Sequence, residues 1–314
     1  MAPEAPCPPL PATLLGVDFS CAPSTRKPIV AAWGRRHGAV VKLEGLEPIT
    51  TLAGFEALLS PSHARAAEGW VGGFDFPFGL PSVFLQALRA DAGRPLADTR
   101  ALIHYLRQRC PDRQAFQQLV DGWGVQWGAG TRPATLPHRR CDSAMSGISS
   151  TSPLQTRYVP VGKMYFEGLW RLVQAGVTLP GMWSPPASDA GADSDQQLRH
   201  RLAFEAYPGL LAHEILGRQS YKSDARDHID AARRLVQRLS LIDALEQGRT
   251  RLGLRLKLTP AQRDHLASDP QGDRLDAVLC LVQAGWAHTR LAEGDALAGR
   301  PADMDPVEGW ILTA

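Results

Sequence analysis

The sequence predicts an α/β protein built on a mixed five-stranded sheet. Three antiparallel strands come first, helix–strand units follow, helices flank the sheet, and a large, mostly helical insertion separates strands four and five. Three observations predict this. Three short apolar runs follow one another near the start with only brief turns between them, which implies an antiparallel meander. A helix-spaced run then leads to a fourth apolar run, a crossover that allows a parallel neighbour. A fifth strand-like run and a long apolar helix come only after a loose middle region.

The elements can be justified in order. Residues 14–19 are apolar up to Asp18 and read as a buried strand. Residues 20–27 are rich in turn formers. Residues 28–33 (PIVAAW) and 39–43 (AVVKL) are two more strands around a short Arg/His/Gly turn. Residues 51–67 place Leu52, Phe55, Leu58 and Leu59 at helical spacing. Residues 70–76 form the fourth strand, with Gly72 and Gly73 inside it. The middle region, about 81–199, predicts helices over 83–90, 98–109, 113–120 and 163–175. Gly-, Pro- and Ser-rich stretches at 122–160 and 185–195 separate them. Residues 202–206 are the fifth strand, ended by Tyr207-Pro208-Gly209. Helices follow over 210–216, 227–245, from Thr259-Pro260 onward, and over 273–291. Thr259 suits an N-cap and Pro260 the first helical position.

Composition narrows the class. The chain has 314 residues, 44% of them hydrophobic, enough to bury a sizeable core. Its net charge of +2 neither demands a polyanionic partner nor excludes a local basic groove. Cys7, Cys21, Cys110, Cys141 and Cys280 are scattered without a CxxC pair. That argues against zinc or a disulfide framework and fits a reducing, cytoplasmic setting. No apolar stretch reaches membrane-spanning length, so no membrane partner is expected. The start lacks the pattern of a secretory signal. Residues 1–12 read as a disordered Pro/Ala tail, and 13–314 as a single domain with the insertion, or cap, at about 81–199.

Acidic residues carry the chemistry. Asp18 (LLGVDFS), Asp75 (VGGFDFPFG) and Glu205 (LAFEAYPG) each close an apolar strand, and Asp273 and Asp276 (GDRLDAVLC) open an apolar helix. A carboxylate at a strand end is costly to bury unless something partners it. One shared hard divalent cation, Mg²⁺ or Mn²⁺, would serve several at once. Asp273 and Asp276 are three apart, so both can face one site. Plainer readings stand beside this one. Asp18 suits a turn cap, Asp75 an Asx turn before Pro77, Glu205 an ion pair with an Arg, and the helical pair a favourable first turn.

GVDFS, GFDFPFG, EAYPG and DRLDAVLCLVQA, in that order, resemble the family catalogued as domain of unknown function 429, of the ribonuclease-H-like superfamily. The closing EGWIL is similar to that family's tail, so the resemblance runs from about Leu14 to Leu312. It implies a predicted metal-dependent nuclease. Asp18 would bridge two ions, with Asp75 and Asp276 completing their shells. Glu205 would act as a ligand, a base or an orienting group. Nucleic acid, DNA or RNA, is the implied substrate. Ser20, Arg139, Arg140, Lys163 and Lys222 are candidates for phosphate contact, although loop cations are more often simply solvated. Trp123 and Trp127 could stack on bases or pack a loop. Two alternatives remain. GVDFSCAPSTR resembles the first phosphate loop of actin and sugar-kinase phosphotransferases, but EAYPG supplies no second Gly-rich turn. A non-catalytic interaction module is the other, and intact acids at every position weigh against it.

Overall fold

The computed structural model describes residues 10–126, 136–145, 147–186, 201–223 and 230–314. Residues 1–9, most of 185–195 and the start of the expected 227–245 helix lie outside these. Strand β1 (Thr13–Asp18) occupies the middle of a six-stranded sheet of order β5-β4-β1-β2-β3-β6. Strands β2 (Ile29–His37) and β3 (Val40–Ile49) continue from β1 as an antiparallel meander. On its other side β4 (Trp70–Asp75) and β5 (Arg201–Glu205) run parallel to it. The fold is therefore α/β with a mixed sheet flanked by helices.

Several elements differ from the sequence reading, beginning with β2 and β3, which run on to His37 and Ile49, past the expected 33 and 43. The sheet has a sixth strand, β6 (Arg255–Lys257), parallel to β3. Three residues with one apolar side chain give no readable period, so β6 exists only because β3 offers it an edge. Helix α1 (Leu52–Leu59) is shorter than the expected 51–67. It stops at Ser60, whose extended backbone is what the following Pro61 imposes.

Helices α2 (Ser82–Ala92), α3 (Thr99–Arg109), α4 (Arg113–Gln126) and α5 (Val161–Gln174) lie between β4 and β5. After β5 come α6 (Pro208–Leu216) and α7 (Ala231–Glu246). Strand β6 follows, and then α8 (Pro260–Ala267) and α9 (Asp273–Ala292). Among the described residues no helix is long and apolar enough to cross a membrane.

Strand alternation sorts the core into two layers. Leu15, Val17, Trp70 and Phe74 face one way and pack with α1 to α5. Leu14, Val71, Leu202 and Phe204 face the other way and pack with α6 to α9. Helix α9 is the buried spine of this second layer. It comes unusually close because Gly16 and Gly73 are register partners facing it. A Cβ on Gly16 would collide with the Ala277 carbonyl and the Leu281 amide. One on Gly73 would sit 2.6 Å from the Cys280 carbonyl. Gly16→Ala therefore pushes backbone against backbone, which no rotamer change can relieve. It should cost about 3 kcal/mol in urea denaturation. A loss under ~0.5 kcal/mol would show that the helix yields freely.

Candidate functional site

Asp18 and Asp75 are direct partners across the parallel β1–β4 ladder, two residues beyond the Gly16–Gly73 pair. Alternation puts all four residues on the α9 face. Neighbouring strands lie ~4.8 Å apart, so the two carboxylates stand side by side. Both residues are partly exposed, and no described residue donates a hydrogen bond to either carboxylate.

The glycine contact brings the start of α9 over this pair. Asp273 and Asp276 occupy its first turn, where the helix's positive end favours acids. Three of their four carboxylate oxygens are already partnered. Tyr221 Oη donates to one Asp276 oxygen and Lys222 Nζ to the other. Lys27 Nζ donates to Asp273 Oδ1 at 2.9 Å. Tyr221 and Lys222 reach the helix because Gly272, with φ of +76°, caps it directly against them.

Electrostatics ties the group together. Burial, and then the charges of Asp276, Asp273 and Asp75, hold the Asp18 carboxyl well above its usual range. Burial and Asp276 push Asp75 up to about 7, with Lys222 opposing. Burial also raises Asp273, although Lys27 pulls the other way. Burial disfavours the charge on Lys222, but Asp276, Tyr221 and Asp18 outweigh it and hold the ammonium above its normal range. Asp273 and Asp276 thus have ion-paired lysines, whereas Asp18 and Asp75 crowd each other with only the nearby charge of Lys222 opposing.

Glu205 does not join them, and its expected role as a metal ligand or catalytic group is corrected. It aligns with Phe74, not with Asp75, so it projects from the opposite face of the sheet. There Arg139 grips it with Nη1 at 2.7 Å and Nη2 at 2.6 Å, and the Phe78 amide donates at 2.8 Å. Arg139 is equally corrected as a phosphate contact. It is 2% exposed and also binds Asp142 at 2.8 Å. Burial opposes its charge, yet Glu205 and Asp142 overcome this and hold the guanidinium firmly protonated.

The remaining candidates scatter. Ser20 Oγ accepts from the Ala22 amide in a local turn. Arg140 pairs with Asp303 at 2.9 Å on the surface. Lys163 stands in the first turn of α5, in the layer opposite α9. Lys222 alone of the five reaches the acids. Trp123 packs edge-on against Phe84, with ring centroids 4.9 Å apart, and Trp127 lies outside the described residues. The C-terminal EGWIL segment lies along β5, where the Leu312 amide donates to the Glu205 carbonyl at 2.8 Å. Sequence reasoning missed Tyr221 and Lys27 as members of the cluster. Neither carries a local signal, because their partners are about fifty and about 250 residues away.

Among the described residues, no group of three or more His, Cys, Asp or Glu side chains is arranged to hold a metal ion. No protein-family model, curated protein or solved structure matches the chain.

Proposed function

We propose that this chain is a divalent-metal-dependent nuclease of ribonuclease-H-like type, related to the domain of unknown function 429 family. One observation carries the reading: Asp18 and Asp75 are register partners, and among the described residues none donates a hydrogen bond to, or forms an ion pair with, either carboxylate. The order of three antiparallel strands, helix, parallel strand, helical insertion, parallel strand and late buried helix supports it.

The donor set suits Mg²⁺ or Mn²⁺. Both open groups are oxygen donors, and such a cation takes one or two carboxylates while keeping water and substrate oxygens in its shell. When bound, the ion would supply an activated water and charge stabilisation at the scissile phosphate. The chain's own residues supply the setting. Asp18 and Asp75 must be deprotonated to hold a cation, so binding releases protons and strengthens as pH rises past about 7. Lys222, with its side chain 45% exposed, presents a cation beside the acids to an incoming phosphate. Tyr221 and Lys27 fix Asp276 and Asp273 in the first turn of α9.

Calorimetric titration of Mn²⁺, followed by hydrolysis assays on single-stranded DNA, RNA and branched DNA, tests the reading. The wild type should bind Mn²⁺ with proton release and cleave at least one of these substrates. Asp75→Asn should lower both affinity and rate by about a hundredfold. A folded wild type that binds no Mn²⁺, with or without nucleic acid, would sink the proposal.

A further inference from the structure

At the other end of the sheet, a cavity of about 560 Å³ is lined by His37, Val40, Lys42, Glu246, Arg255, Leu256, Lys257 and Leu258. It is remote from the acids. Val30 on β2 partners Asp18, and His37 is 37 − 30 = 7 residues further along the same strand, ~23 Å away.

Strand register makes this surface unusual. Arg35 on β2 lies opposite Lys42 on β3, and Lys42 lies opposite Lys257 on β6. Three cations therefore form one rung across three adjacent strands, ~4.8 Å apart. The next rung on the same face, two positions along, is His37, Val40 and Arg255. Like charges directly opposite each other destabilise a sheet. Little in the protein relieves them. Arg35 reaches Glu44 at 3.6 Å, but the side chains of Lys42, Lys257 and His37 have no hydrogen-bond or ion-pair partner among the described residues. The cavity's one acid, Glu246, has its carboxylate engaged by Arg263. Arg255 spends its Nε on the Glu246 carbonyl, at 3.1 Å, and keeps its charge.

We infer that this face is a binding site for a phosphate-bearing ligand of nucleotide size. The volume falls in the range of small-molecule sites. Lys42 and Lys257 would clasp the phosphates from adjacent strands, with Arg255 completing the clasp. Val40 and Leu258 offer an apolar rim to the ligand's uncharged part. The site is separate from the acids, so it stands whether or not they perform phosphodiester chemistry.

ADP is the probe, titrated into the full chain in EDTA so that no cation can bridge it to Asp18 and Asp75. The wild type should bind one equivalent saturably. The Lys42→Ala/Lys257→Ala variant, whose changes lie on exposed positions, should bind about tenfold more weakly or worse. Its circular dichroism and its Mn²⁺ titration should match the wild type. Absence of saturable ADP binding, or equal affinity in the double variant, overturns the site. So does binding confined to a short oligothymidylate, which would make the face a polymer-docking surface instead.

Discussion

In metal-free buffer above neutral pH, Asp18→Asn should be more stable than the wild type, and Mn²⁺ should no longer raise its melting temperature. The sign follows from the cluster. Burial and the Asp276 charge raise Asp75 to about 7, and burial with three neighbouring acids raises Asp18 well above its usual range. Carboxyls in the unfolded chain titrate near ~4. Between these limits the native state binds more protons than the unfolded one, so stability falls as pH rises. The contribution is complete at the acid end of that window and is lost as pH passes through about 7. After allowance for solvent screening, the loss from Asp75 alone is on the order of 3 kcal/mol. Asparagine keeps the shape and removes one charge, so the variant's stability should change less with pH. Other titrating groups cancel when the variant curve is subtracted from the wild-type curve. In the wild type, Mn²⁺ at about a hundred times its dissociation constant should restore ~2.7 kcal/mol. Equal stability of the two proteins above neutrality would show that the acids do not repel.

That trade of stability for an open pair of acids is the point at which sequence and structure meet. Asp18 and Asp75 were legible because each ends an unbroken apolar run, a pattern that fixes both strand and position. The second half of β2 was not, since Arg35, Arg36 and His37 carry no apolar period, and they pair only because β3 lies beside them. Glu205 shows a deeper limit. Its strand was legible, but its face depends on register against β4, set more than a hundred residues earlier in the chain. A slip of one residue turns a side chain through the sheet. Arg139 looked like a solvated loop cation for the same reason: the carboxylate that buries it is 66 residues away. Lys222 was picked out only as a loop cation, and its bond to Asp276 is a product of tertiary folding.

The buried triad on the opposite face supplies the second large effect. Arg139→Met should destabilise the protein by about 3–5 kcal/mol, because Glu205 and Asp142 would be left as charges in an apolar layer. Glu205→Gln should cost less, since Gln keeps the volume and can still accept from the Phe78 amide and Arg139. The double variant should lose less than the sum of the two, with a coupling of about 1–3 kcal/mol in a denaturation cycle. Neither change should alter Mn²⁺ affinity by more than about twofold, because the triad and the open acids lie on opposite faces of the sheet. This separates two roles that look identical in sequence. Asp75 and Glu205 both end parallel strands and both face burial costs. Glu205 is neutralised by the protein itself, whereas no described residue donates a hydrogen bond to the Asp75 carboxylate. A folded Glu205→Gln protein that had lost its Mn²⁺ binding would reverse that assignment and return Glu205 to the cation site.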